Sequence, residues 1–362
     1  MKQAAIFDPY LNTLGGGEKY VLTIAETLLE NNWQIDIFTQ FDQSIINKAR
    51  SRFNLNLSNL KLQPDIFSSS KTSILSKYKI TSKYDLFFYL NDGSVPLLFS
   101  KNNFLHVQVP FNINPSIFQK AINLIKFIPI SKIIVNSKFT QLRVKQIYLK
   151  PSTVLYPPID TTNFIPATNK QNIILSVGRF DNILNTKRQD ILIKAFNDMI
   201  KSNHLKNWQF VLIGGSLEKE SKNQYLNSLK LQAKGLPVKF IVNSSFQDLK
   251  KYYSISKIFW HAAGFGVDEV KDPQSTEHFG MSTVEAMAAG LVPIVVNKGG
   301  LKEIVSDSVN GYLWQDQSQL INKTIYLIRH PKTLEKFSQI SIKMSKKFSV
   351  SIFKKKFIKI IS

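Results

Sequence analysis

The sequence predicts an α/β protein built from two doubly wound domains, and three observations carry that prediction. At 362 residues the chain exceeds one ordinary core and suits two domains of roughly 150–200 residues each. Residues 3–39 read as strand, glycine loop, helix and strand, one βαβ unit that implies a parallel sheet. After a Pro-, Thr- and Asn-rich stretch, "YPPIDTTNFIPATNK" at 156–170, the same alternation starts again.

The elements follow in order. "QAAIFD" (3–8) is a strand, and the loop after it closes on Gly15-Gly16-Gly17. "EKYVLTIAETLLENN" is apolar at Tyr20, Val21, Ile24, Ala25, Leu28 and Leu29, one face of a helix. "QIDIFT" (34–39) is the second strand, and the apolar runs at 85–90, 103–109 and 132–137 supply more. The linker at 156–170 separates a first domain, 1–160, from a second, 161–345. In the second, strands at 172–178, 209–215, 238–242, 257–263 and 291–296 alternate with helices near 188–200, 221–234 and 246–253. Open sheets of this kind bind ligand beside the carboxyl ends of their strands, so the site is expected in a cleft between two facing domains.

Composition narrows the class. An apolar fraction of 43% with 26 Phe is ample for two cores, and the absence of Cys removes disulfides, thiolate metal sites and thiol nucleophiles together. It fits a reducing compartment. The N-terminus meets Asp8 too early for a secretory apolar region, and no apolar run approaches the roughly 20 residues of a membrane helix. A soluble, cytoplasmic protein is expected. The formal charge of +22 invites nucleic acid or an anionic membrane. No strand pair concentrates the alternating aromatic and basic residues of a base-stacking platform, so nucleic acid is not expected as partner. The basic tail places Phe348, Phe353 and Phe357 between lysines, which suits a helix packed on the body or one lying on a membrane. The expectation for 346–362 combines them, with phenylalanines packed back on the first domain and lysines outward.

Several residues carry chemistry. Glycines at a strand-to-helix turn offer bare amides and a helix dipole to phosphate or carboxylate, although turn geometry alone demands the same residues. The turn is not the dinucleotide fingerprint, because Tyr20 stands where a third glycine would be, and Asp36 lies mid-strand. Both weaken the alternative of an NAD-type oxidoreductase. In "SVGRFDNILNTKRQD" (176–190), Arg179 follows a strand and Gly178, while Lys187 and Arg188 precede the next helix. A guanidinium fork plus an ammonium suits a pyrophosphate, with either Lys187 or Arg188 as the second cation. With no Asp-x-Asp pair and five dispersed His, protein cations are the expected stabilisers of a leaving diphosphate. In "EHFGMSTVEAMAAG" (277–290), Ser282 and Glu285 read as a capping box and Gly290 as the left-handed stop. Glu277 lies before that helix and has no such local role.

Taken together, the Glu277 and Glu285 pair, "VPIVVNKGG", "NGYLW", "GGGEKY", "SVGRF" and "LYPPID" resemble the retaining family 4 glycosyltransferases. That resemblance implies the GT-B fold, two facing Rossmann-like domains with the active site in the interdomain cleft. "WHAAGFGVDE" and "HVQVP" are most similar to the mannosyltransferase branch that elongates lipid-linked oligosaccharides. It implies metal-independent, retaining transfer of a hexose from a nucleoside-diphosphate sugar, GDP-mannose first, to a saccharide or lipid-linked saccharide. No cofactor is implied, and the enzyme would sit peripherally on an anionic cytoplasmic membrane face. By position the resemblance gives Glu285 the ribose hydroxyls, Glu277 the transferred sugar, and the turn at Phe279, Gly280 and Met281 the sugar and phosphate. Arg179 and Lys187 would grip the diphosphate, Gly16 and Gly17 would close over it, and His106 would stand near the sugar. Without the resemblance, a His between Leu105 and Val107 reads as a core residue. The segment 264–276 departs from the pattern as a long insertion, by its length a lid or an acceptor loop.

Overall fold

The computed structural model describes residues 1–68, 72–111, 117–148, 150–181, 186–203, 205–216 and 218–362, with the side chains of all but 117–121. The chain forms two compact units, Met1–Pro158 with Val350–Ser362, and Ile159–Ser349.

The first unit runs β1 (Gln3–Phe7), α1 (Gly16–Glu30), β2 (Gln34–Thr39), α2 (Gln43–Phe53), β3 (Leu60–Pro64), α3 (Ile74–Thr81), β4 (Leu86–Leu90) and β5 (Asn102–Val107). It continues with α4 (Ile117–Phe127), β6 (Ile130–Val135), α5 (Lys138–Tyr148) and β7 (Ser152–Val154). The strands pair in parallel in the order β3-β2-β1-β4-β5-β6-β7. A parallel sheet is covered on both faces, which is why its central strands read as unbroken apolar runs. In β1, Ala4 and Ile6 join the cluster that holds Tyr20, Ile24 and Leu28 of α1. Ala5 and Phe7 alternate to the other face, beside Phe38, Phe87 and Tyr89.

The second unit runs β8 (Ile173–Val177), α6 (Gln189–Lys201), β9 (Gln209–Gly214), α7 (Gln224–Gln232), β10 (Val238–Val242), α8 (Phe246–Ile255) and β11 (Ile258–His261). Then come α9 (Met281–Ala288), β12 (Val292–Val296), α10 (Leu301–Ile304), β13 (Tyr312–Trp314), α11 (Gln317–Arg329) and α12 (Pro331–Ser345). Its parallel order is β10-β9-β8-β11-β12-β13. Each sheet therefore reverses direction of growth between its first and fourth strands, β1 and β4 or β8 and β11. Crevices that hold ligand open at such a reversal, outside the carboxyl ends of the strands.

The last helix, α13 (Val350–Ile361), belongs to the first unit. Phe353 and Phe357 are buried there, Phe353 edge-on to Tyr20 with centroids 4.9 Å apart and Phe357 edge-on to Phe88 at 6.3 Å. Two details correct the expectation for the tail. Residues Lys346–Phe348 form a 3-10 turn grouped with the second unit, where Phe348 meets Phe279 at 5.3 Å, so the helix of the tail begins at Val350 rather than at 346. Lys354 does not simply face outward, since its Nζ lies 2.8 Å from Glu26 Oε2 and 2.6 Å from Glu30 Oε1 on α1.

Candidate functional site

The second sheet brings three charged or polar groups together where it reverses. β8 ends at Val177, and a Cβ on the following Gly178 would lie 2.6 Å from Lys187 Cγ, so only glycine lets the lysine stem lie against this backbone. Lys187 Nζ donates to Glu277 Oε2 at 2.7 Å. His261, the last residue of β11, places Nε2 3.1 Å from the same oxygen, although off the line of a hydrogen bond. His261 Nδ1 accepts the Ala263 N–H at 3.3 Å, which leaves the ring proton on Nε2, facing the carboxylate. The lysine and glutamate side chains are only 18% and 14% exposed. Burial works against ionisation of Glu277, but Lys187 and then His261 outweigh it and hold the carboxyl well below the ordinary range. Burial pushes His261 below its usual value against the pull of Glu277, and pushes His278 down to about 4, so both rings are neutral at pH 7.

The turn after Glu277 depends on glycine. Gly280 has φ +108° and is the N-cap of α9, and a Cβ there would meet Leu301 Cδ2 at 2.7 Å. The capping box is thereby corrected. The helix starts at Met281, which puts Ser282 inside the first turn, with no side-chain cap bond. Glu285 faces the Tyr253 hydroxyl instead, 3.0 Å from its Oε2. Burial, and next the Glu285 charge, push the Tyr253 phenol well above its usual value. Gly290 has φ +71° just beyond the helix, in keeping with a left-handed stop. Gly300 N–H donates to the Glu277 carbonyl at 2.8 Å. A Cβ on Gly299 would stand 2.1 Å from that carbonyl oxygen, and one on Gly300 would stand 2.2 Å from the oxygen of His278.

The insertion at 264–276 is fastened at two points in its first half, Phe265 and Glu269. Arg188 Nη1 donates to the Phe265 carbonyl at 2.8 Å while its Nε and Nη2 hold Asp190. Glu269 accepts the Gly299 N–H at 2.8 Å and pairs with Lys302 at 2.7 Å. The Arg188 guanidinium is thus spent on α6 and the insertion, whereas Lys187 is the cation beside Glu277. Arg179 Nε lies 3.6 Å from Asp181 Oδ2 with its side chain 55% exposed. Residues 182–185, the middle of the loop expected to gather these cations, lie outside the described residues. Among the described residues no group of three or more His, Asp or Glu is placed to hold a metal ion.

In the first unit, Gly16 and Gly17 open α1 behind the N-cap Gly15. The Gly15 N–H is already met from within the chain, by Glu18 Oε2 at 2.6 Å. A Cβ on Gly17 would lie 2.6 Å from Gln108 Oε1, so a larger residue there would displace the end of the Gln108 side chain, whose Nε2 donates to the Gly17 carbonyl at 3.3 Å. His106 is wholly buried, stacked on Tyr20 at 4.1 Å, with Nδ1 3.1 Å from the Ile134 carbonyl oxygen. Burial pushes it down to about 3, so it is neutral. The burial and the stacking agree with the core reading, while the buried Nε2 meets no hydrogen-bond partner.

The family model for glycosyl transferases group 1 matches residues 160–344, just over half of the chain. The chain belongs to this family. Arg179, Lys187, His261, Glu277 and Glu285 all fall inside the matched segment of this group 1 glycosyltransferase. A Xenopus tropicalis GDP-Man:Man(3)GlcNAc(2)-PP-Dol alpha-1,2-mannosyltransferase is 26% identical over 370 residues, 82% of this chain and 73% of that one. The human protein of the same name is 27% identical over 240 residues, and there the chain spans only 45% of the relative's length. Anabaena HepE, solved with UDP and glucose, superposes with a TM-score of 0.75 at 17% identity, covering 100% of this chain and 99% of that one. That likeness shows the fold, GT-B. Sequence reasoning missed His261, Tyr253, Glu269 and the bracing role of Gly299 and Gly300. "WHAAGFG" and "NKGG" mark three of those positions but do not say that they converge on Glu277 and its turn.

Proposed function

We propose that this group 1 glycosyltransferase moves a mannosyl group, with retention of anomeric configuration, from GDP-mannose to a saccharide acceptor carried on a lipid. The observation that carries the reading is the largely covered Glu277 carboxylate held between Lys187 and His261 at the reversal of the second sheet. An anion kept ionised well below its usual range accepts hydrogen bonds from sugar hydroxyls and is no source of protons, so Glu277 positions the sugar. Lys187 and Arg179 supply the positive charge that a departing diphosphate needs, and the turn at Phe279, Gly280 and Met281 presents the N-terminus of α9 to it. Glu285, oriented by Tyr253, takes the ribose hydroxyls. Gly16 and Gly17 stay in the proposal as anion-binding amides of the first unit. His106 is left out of the contact set, and its stacking on Tyr20 is proposed to seat α1 on its sheet. The leaving phosphate itself takes the acceptor proton, so no metal and no second carboxylate enters the reaction.

Mannose and GDP rest on the names of the relatives, and UDP-glucose is the competing donor because HepE binds UDP and glucose. A thermal-shift panel of GDP-mannose, UDP-glucose, UDP-N-acetylglucosamine and ADP-glucose decides between them. A donor at 100 times its Kd adds about 2.7 kcal/mol of stability. Stabilisation by a UDP-sugar and none by GDP-mannose overturns the donor assignment, and NMR of the product linkage tests retention.

A further inference from the structure

We propose that Lys170 is a positioning residue for the ribose of the donor nucleotide, acting through Tyr253 and Glu285. The inference rests on the assignment of the ribose hydroxyls to Glu285. The end of the stretch that reads as a linker is fastened to the carboxyl end of α8. Ala167 N–H donates to the Ser254 carbonyl at 3.1 Å and Gln171 N–H to the Ile255 carbonyl at 2.7 Å. Between them Lys170, half-buried, turns its Nζ onto three carbonyls, those of Ser254 at 3.1 Å, Ser256 at 2.7 Å and Ala289 at 2.8 Å. An ammonium has three N–H groups, and each finds an oxygen here. Ser254 lies in the last turn of α8, Ser256 is its C-cap, and Ala289 is the C-cap of α9. One cation therefore closes two helix ends, where the last carbonyls lack partners within the helix and the dipole is negative.

The clamp holds a hydroxyl that has two acceptors. Tyr253 stands beside Ser254 in α8, wholly buried, with the Phe164 ring edge-on at 5.1 Å. Its oxygen lies 3.0 Å from Glu285 Oε2 and 3.2 Å from the carbonyl oxygen of Ser282, one turn earlier in α9. A phenol has a single proton to give, and the nearer, charged acceptor takes it. The difference in distance is small, so the register of α8 against α9 decides which oxygen the proton serves. Lys170 fixes that register at the carboxyl end of α9, a helix of eight residues and so about 12 Å long. A slip of α8 along α9 would hand the proton to Ser282 and take from Glu285 a donor that orients it toward the ribose.

The test is ribose discrimination by calorimetry on the full chain, the Kd of 2′,3′-dideoxy-GDP divided by that of GDP, with the UDP pair run alongside. Lys170→Met should lower this ratio about three- to tenfold, the worth of roughly one hydrogen bond, by weakening the ribose nucleotide alone. Lys170→Arg, which keeps the charge and several donors, should recover part of the loss. Tyr253→Phe should reproduce the loss, and joining it to Lys170→Met should add nothing further. Where the Met variant does not fold, Lys170→Gln takes its place, with two donors left for the carbonyls. An unchanged ratio, an equal loss for the dideoxy nucleotide, additivity with Tyr253→Phe, or failure of all three Lys170 variants to fold would each overturn the role and reduce Lys170 to a helix cap. The Glu285 reading fails separately, when Glu285→Gln leaves the ratio unchanged. It stands when Glu285→Gln lowers the ratio and Lys170→Met does not. A parent that binds neither nucleotide, or binds each no better than its dideoxy analogue, overturns both.

Discussion

Replacing Lys187 by Met tests the central ion pair directly. At 2.7 Å, and with an effective dielectric constant of about 20, the attraction between Lys187 and Glu277 is about 6 kcal/mol before desolvation is subtracted. Both side chains are more than four-fifths covered, so most of that gain offsets the cost of burying two charges. Removing one partner leaves the cost without the gain, and Lys187→Met should lose about 3 kcal/mol in urea unfolding at pH 7. The pH dependence gives the sharper reading. In the unaltered protein the folded pKa of Glu277 lies below its unfolded value. Its contribution is therefore present above about pH 4.5, the unfolded carboxyl value, and is lost as pH falls through the lower folded value. Without Lys187, burial dominates and the folded pKa rises, so the stability gap between variant and parent should shrink steadily from pH 7 to pH 4. A double-mutant cycle with Glu277→Gln should return a coupling of about 1–3 kcal/mol. Additive effects with a flat pH profile would mean that the two groups do not hold each other, and the proposed sugar-binding anion would fail with them.

Arg179→Ala should reduce turnover by roughly 10²–10³ with the fold intact, and EDTA should leave the parent activity unchanged; loss on chelation with recovery in magnesium would show a metal in its place. Glu285→Gln should weaken free GDP by about 1.5–3 kcal/mol in calorimetry, whereas a fall in stability at constant Kd would reduce Glu285 to a partner of Tyr253. Gly300→Ala must force a methyl against the His278 carbonyl and should lower the melting temperature by several degrees, which a thermal scan reads in one run.

The alternation of strand and helix was legible because a buried parallel strand is an apolar run and little else resembles it at that length. β3 and β7 escaped for the opposite reason. "LKLQP" is half polar at the sheet edge and "STV" is three residues long. The glutamates were legible from their spacing, but the local pattern Ser-x-x-Glu supported a capping box that the structure does not contain. One residue decided this, since the positive φ of Gly280 starts the helix before Ser282 can cap it. His261 illustrates the remaining limit. It ends a buried strand, and only the fold brings it to a carboxylate on a loop further along the chain.

The first unit is interrupted by the second, and this sets an order of assembly. A ribosome releases residues 159–349 as one uninterrupted stretch that holds a whole sheet and its helices. The earlier stretch cannot finish its core until Phe353 and Phe357, which follow the whole of the second unit in the chain, have emerged as well. Until then Tyr20 and Phe88 lack the rings that cover them, and the nascent N-terminal half presents an aromatic surface to whatever is nearby. A stop codon at position 350 would therefore spare the unit that carries Glu277 and cripple the unit whose other strands and helices lie before residue 159.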